Sequence, residues 1–131
     1  GNDTINNTNS ENVKIAGGAG NDLISNNSAN VTITGGAGNN TIDNSGSNVL
    51  FKHSGGNDVI EGFDETSTLQ LTTGTIASAY FNSEDDIFLA VGNNTVTIKD
   101  FAFTTNVINL MDSAGKVSSS NSRRNGKIFA A

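Results

Sequence analysis

The chain has no cysteine, no proline and no tryptophan, and only one histidine and one methionine in 131 residues. Without cysteine there is neither a disulfide framework nor a thiolate metal site. A lone imidazole, His53, leaves zinc and copper centres short of donors. No apolar run approaches the roughly 18 residues that a membrane-spanning helix needs, and no secretory signal opens the chain. Positive charge is also scarce. Seven Lys and Arg stand against 13 Asp and Glu, a formal net charge of −6, which argues against nucleic acid and anionic membrane as partners and agrees with cation binding. Apolar residues make up 34%, low for a compact globule. No nucleophile stands beside a base, so the chain is not expected to be an enzyme.

What is abundant is glycine, fifteen residues of it, together with Asn, Ser and Thr. That composition points to a turn-rich all-β architecture in one domain. The glycines are ordered. Gly17-Gly18-Ala19-Gly20-Asn21-Asp22-Leu23-Ile24-Ser25 returns 18 residues later as Gly35-Gly36-Ala37-Gly38-Asn39-Asn40-Thr41-Ile42-Asp43. A weaker copy follows as His53-Ser54-Gly55-Gly56-Asn57-Asp58-Val59-Ile60-Glu61, and Gly1-Asn2-Asp3-Thr4-Ile5-Asn6 is a partial copy at the start. A fixed period of this length signals stacked coils, none able to bury its apolar face alone.

The period predicts a short parallel β-roll, a β-solenoid of 18 residues per coil, over residues 1–63. Ile24, Ile42 and Ile60 share one phase, which Ile5 joins after a one-residue offset. Val13, Val31 and Val49 share a second, and Ile15, Ile33, Phe51 and Leu69 a third. Residues two apart face one way along a strand, so Val31/Ile33 and Val49/Phe51 point inward together. One turn of each coil is Gly-rich and the other Asn/Ser-rich, and the extra residue falls in the loop between Asn6 and Asn12. Asn12, Asn30 and Asn48 are in phase, either as a hydrogen-bonded ladder or simply as residues tolerant of left-handed turns. The repeat fades after Phe63. Residues 64–117 read as a β cap, with Thr68–Leu71 still alternating, a hairpin of Ile87–Val91 and Thr95–Lys99 about Gly92-Asn93-Asn94, and a last strand near Val107–Leu110. The cap is expected to be hairpin- or sandwich-like and to cover the open coil edge. Residues 118–131 lack periodicity and are expected to be disordered.

The Gly-rich loops carry the chemistry. Glycine lets backbone carbonyls turn into the gap between stacked loops. The sixth position adds a side-chain oxygen from Asp3, Asp22, Asn40 or Asp58. Such hard oxygen ligands suit Ca²⁺. Carboxylates stacked about 4.8 Å apart repel by roughly 1 kcal/mol in water and about 3–4 kcal/mol at an effective dielectric near 20, and a divalent ion reverses the sign. Asn40 lowers the charge of two gaps, which are expected to bind more weakly than an all-Asp gap. The Asp3/Asp22 gap has two carboxylates but an incomplete first loop. Folding of the thin repeat core is expected to be coupled to calcium.

Gly17–Ser25 and Gly35–Asp43 resemble the G-G-x-G-x-D-x-U-x nonapeptide of RTX, or haemolysin-type, calcium-binding repeats. The resemblance covers residues 1–63. It implies a β-roll with calcium held between adjacent loops by the side chains of Asp22, Asn40 and Asp58 and by carbonyls near Gly17, Ala19, Gly36 and Gly38. It departs at Asn40, at His53-Ser54 and in the intervening nonapeptides such as Asn26 to Thr34, so calcium is expected on one side only. It also implies a secreted or bacterial cell-surface protein, exported unfolded by type I secretion, with an adhesin or hydrolase upstream. The chain begins in mid-repeat and reads as a piece of a longer protein.

Other acidic and basic groups have plainer readings. His53 reads as structural or surface, Glu84-Asp85-Asp86 and Asp64-Glu65 as solvated turns, Lys99-Asp100 as a surface pair and Arg123-Arg124 as part of a basic tail. The alternative function is a carbohydrate- or surface-binding module with a flat face toward a polymer, although Lys14, Thr32 and Leu50 form no regular pattern there. A β-helical enzyme fragment would need more coils and an acidic cluster.

Overall fold

Apolar residues at every second position in two stretches of each period, separated by two kinds of turn, lay down two short strands per coil. The computed structural model describes residues 1–72, 76–81, 86–99, 108–111, 117–120 and 127–129. Its first strands are β1 (Thr4–Asn7), β2 (Lys14–Ala16), β3 (Leu23–Asn26), β4 (Thr32–Thr34), β5 (Thr41–Asn44), β6 (Leu50–His53), β7 (Asn57–Glu61) and β8 (Thr68–Leu71). β1, β3, β5 and β7 stack in parallel in one sheet, and β2, β4, β6 and β8 in the other, so the chain winds through four coils of a parallel β-solenoid. The described residues include no helix and therefore none long and apolar enough to cross a membrane.

The register follows the apolar phases. Ile5, Ile24, Ile42 and Ile60 pair in succession, as do Ile15, Ile33, Phe51 and Leu69. With Val31 and Val49 they form the buried core, while Ile5 and Val13 of the first coil are half-buried against it. A slip of one residue would turn each set outward. The extra residue of the first coil is absorbed where expected. Asn7 pairs with Asn26, 19 residues on, whereas Ser10 already bonds Ser28, 18 residues on, and Asn9 between them takes a left-handed φ of 63°.

The remaining strands are β9 (Ile76–Phe81), β10 (Ile87–Val91), β11 (Asn94–Lys99), β12 (Ile108–Met111), β13 (Val117–Ser120) and β14 (Lys127–Phe129). β11 lies parallel on β7, with Ile98 over Ile60, and β12 lies parallel on β8, with Leu110 over Leu69. Both apolar columns thus run one rung beyond the repeat. Pairing then turns antiparallel, β11 to β10 to β9 to β14 and β12 to β13. The hairpin turns on two residues, Gly92 and Asn93, with a positive φ of 60° at Gly92, the glycine-first arrangement of a type II′ turn. Phe63 closes the fourth coil, its ring 5.6 Å from that of Phe51. Where the composition of 118–131 suggests a disordered tail, the described parts of that stretch are β14 and most of β13. Val107 and Arg123-Arg124 lie outside the described residues.

Asparagine does more inside the roll than on its surface. Asn12, Asn30 and Asn48 all take left-handed φ values of 54–59°, and Asn48 Nδ2 also donates to Asn30 Oδ1 at 2.6 Å. Both readings of that column therefore hold in part. A second column, Asn7, Asn26 and Asn44 at the ends of β1, β3 and β5, is a continuous ladder. Asn7 Nδ2 donates to Asn26 Oδ1, and Asn26 Nδ2 to Asn44 Oδ1, each at 2.9 Å. Asn44 Nδ2 ends the column on Gly62 O at 3.3 Å. Each buried amide also bonds its own turn, Asn26 with Ser28 and Asn44 with Gly46. All four hydrogen-bonding sites of Asn26 and Asn44 are thereby used.

Removing a link of this ladder strands buried partners, whereas the outer column sits in solvent. Asn44→Ala is expected to lower unfolding free energy by about 2–3 kcal/mol, and Asn48→Gly, at a left-handed φ that glycine accepts, by no more than about 0.5 kcal/mol. Urea unfolding followed by circular dichroism checks both; equal losses would contradict the ladder's role.

Candidate cation site in the glycine-rich loops

The Gly-rich turns pack directly on one another. Gly36 and Gly38 have φ values of 94° and 115°, which L side chains resist. A Cβ on Gly36 would collide with Gly18 O, and one on Gly38 with Gly20 O. The carbonyls of one loop therefore sit over the α-carbons of the next. Ala19 and Ala37 form a parallel bridge. The Gly20 amide donates to Ala37 O at 3.0 Å and the N-terminal ammonium of Gly1 to Ala19 O at 2.9 Å.

Two side-chain columns knit the loops, with opposite polarity. At the fifth loop position the lower side chain accepts from the upper backbone. Asn2, Asn21, Asn39 and Asn57 each offer Oδ1 to the amide of Asn21, Asn39, Asn57 and Thr95 respectively, at 2.7–2.9 Å. At the sixth position the lower backbone donates to the upper side chain. The amides of Asp3, Asp22 and Asn40 donate to Oδ1 of Asp22, Asn40 and Asp58 at 2.8–3.0 Å. Asp22, Asn40 and Asp58 are each at most 3% exposed.

The second side-chain atom of each sixth-position residue meets a different fate. Asn40 Nδ2 donates to Asp58 Oδ1 at 3.0 Å and to Gly36 O at 3.3 Å. Asp58 Oδ2 lies 2.7 Å from His53 Nδ1. Asp22 Oδ2 has no partner, one of two such buried side-chain atoms among the described residues. The Gly35 carbonyl oxygen shares its niche. A Cβ built on Gly17 would collide with Asp22 Oδ2 and lie 2.6 Å from Gly35 O, so a carboxylate oxygen and a carbonyl oxygen converge on the niche that Gly17 leaves free. Beside Gly35 the Asn40 amide nitrogen stands where Asp22 Oδ2 stands beside Gly17. Buried acceptors without a donor are costly, and a hard cation answers oxygens of this kind. The donor set around Asp22 fits calcium in type; that around Asp58 is already bonded within the protein.

The structure thus brings Gly17, Asp22 and the 35–40 loop together. Asp3 is exposed on the end rung, its amide on Asp22 and its carbonyl taken by Leu23. Ala19 O and Gly36 O already accept hydrogen bonds, and Gly38 O lies where a Cβ on Gly56 would be. Among the described residues no three His, Asp or Glu side chains converge as a metal cluster; a site at Asp22 rests on one carboxylate and backbone oxygens. His53, expected to be structural or on the surface, is buried against Asp58; its phase, in register with Gly17 and Gly35, is the signal that could have placed it there. Asp64 caps its own turn through Thr66 and Ser67. Asp86 is buried 3.5 Å from Lys99 Nζ, so Lys99 pairs across the hairpin; Glu84, Asp85 and Asp100 lie outside the described residues. Compared with known proteins, the chain matches no family model, no curated protein and no solved structure.

Gly18 separates conformational strain from loop contact, because its φ of 96° matches that of Gly36 while a Cβ there meets nothing within 4 Å. Gly18→Ala is expected to cost roughly 1–2 kcal/mol, and Gly36→Ala a further 1–3 kcal/mol or so from overpacking. Equal urea midpoints for the two variants would show that the loops are not in contact.

Proposed function

We propose that the chain is a calcium-binding β-roll module of the RTX type that serves a larger secreted or cell-surface protein and completes its folding when calcium is present. The observation that carries the reading is Asp22 Oδ2, a buried carboxylate oxygen left without a donor in a stack whose neighbouring side chains are bonded from coil to coil. The repeated Gly-Gly-x-Gly-x-Asp phrase of Gly17–Asp22 and the net charge of −6 support it. In this reading Asp22 and neighbouring loop carbonyls, Gly35 among them, hold the ion. The ion turns the opposition of acceptors into attraction and ties the first coils to the rest. Export without a folded roll, followed by assembly in a calcium-rich medium, is the corresponding expectation for its cellular role. The glycan-binding alternative has no comparable support. The open groove on the opposite turns is lined by Asn9, Glu11, Asn27, Ser28, Ser45 and Ser47 among others, with no aromatic platform.

Calcium at a hundred times its dissociation constant would add about 2.7 kcal/mol to stability. Thermal unfolding of the wild-type chain is therefore expected to shift upward between EGTA and saturating calcium. Asp22→Asn, which supplies a donor among the acceptors, is expected to be more stable than wild type by about 1 kcal/mol in EGTA and to lose the calcium shift. Identical melting of the wild-type chain in EGTA and in calcium would overturn the reading.

A further inference from the structure

The first residue of each Gly-rich loop lies five positions before the acidic or amide residue of the sixth, and the three pairs are Gly17/Asp22, Gly35/Asn40 and His53/Asp58. They occupy the same place in successive coils. In the first pair the glycine leaves a niche faced by Asp22 Oδ2 and Gly35 O. In the second, the Asn40 amide nitrogen takes the place that Asp22 Oδ2 has in the first. In the third, the first residue is no longer glycine, and its imidazole lies against the carboxylate, Nδ1 being 2.7 Å from Asp58 Oδ2 at 3% exposure of both side chains.

Asp58 consequently has every near contact that Asp22 lacks. Its Oδ1 accepts the Asn40 amide, as Asp22 Oδ1 accepts that of Asp3, and takes Asn40 Nδ2 in addition. Its Oδ2 accepts from His53 where Asp22 Oδ2 has nothing. We infer that His53, with Asn40, stands in for the loop cation in the third coil: the imidazole N–H supplies from within the chain the positive end that Asp58 would otherwise draw from a bound ion. This inference rests on the calcium reading of Asp22 and deepens it, since it restricts metal to the N-terminal loops and makes the coil that adjoins the cap metal-independent.

The geometry also sets the tautomer. Asp58 accepts only if the proton is on Nδ1, and His53 Nε2 then faces a buried surrounding without a partner. An unpaired nitrogen is an unfavourable term, which makes core filling alone a poor reason for histidine here. The bond to Asp58 is the compensating gain.

His53→Gly removes the imidazole and gives the third pair the glycine and carboxylate of Gly17/Asp22, and it is the test. Native mass spectrometry of the folded chain in saturating calcium is expected to count one more ion in His53→Gly than in the wild type, and the variant's melting temperature, lowered in EGTA, is expected to recover with calcium. An unchanged count overturns the inference. Absence of ions from the wild type would instead count against the calcium reading of Asp22, so the two failures are distinct. Should the variant not fold, the wild type decides. His53 is the only histidine, so its ring nitrogens are unambiguous in a long-range ¹⁵N correlation spectrum. The Nδ1-protonated ring is expected to persist unchanged through saturating calcium, and loss of that signal as an ion displaces the ring from Asp58 would contradict the inference.

Discussion

Stacking coils at the strand spacing sets every residue above its equivalent in the next coil. For isoleucine this is favourable, because a column of apolar side chains forms a continuous core from segments too short to bury anything alone. For polar groups it is a demand. Each must find its donor or acceptor one rung away or be buried without one. The buried asparagine ladder meets that demand in both directions, since an amide has a donor and an acceptor end and can be repeated indefinitely. A carboxylate cannot, because it accepts at both oxygens. An aspartate in such a column needs a donor from another source.

The three buried residues at the sixth loop position show three answers to this constraint. Asn40 supplies its own donor. Asp58 takes two from Asn40, backbone and side chain, and another from His53. Asp22 takes the backbone of Asp3 on one oxygen and has nothing for the other. The departures of this chain from the repeat resemblance, Asn40 for Asp and His53 for Gly, are thus not independent losses. They adjoin one another and act on the same carboxylate. Glycine in the first and second loops has the complementary task of leaving room for the sixth-position side chain and letting carbonyls rest on the next α-carbon.

Much of this was legible in the sequence. The period, the phases of Ile24/Ile42/Ile60 and Ile33/Phe51/Leu69, the absorbed insertion before Asn12 and the hairpin around Gly92 all follow from apolar spacing and turn chemistry, and the structure has them. The extension of the columns to Ile98 and Leu110 was hidden, because the cap reaches the same register without the same spacing. In the sequence a ladder is one of two readings of Asn12, Asn30 and Asn48, whose phase is as regular as that of Asn26 and Asn44. Periodicity alone does not say which column faces inward when both are polar. Hydrogen bonds between loops, such as Gly20 N–H to Ala37 O, are not legible in the glycine pattern. His53 looked isolated because its partner, Asp58, belongs to the motif and was read for a different purpose.

The account holds that a buried acceptor on Asp22 is answered by a cation while that on Asp58 is answered by the chain. Anomalous diffraction from crystals grown in calcium tests both halves at once. The account predicts a calcium peak in the niche beside Gly17, within coordination distance of Asp22 Oδ2, and none between His53 and Asp58. A map without a peak at Asp22, or with one displacing His53 from Asp58, would contradict it.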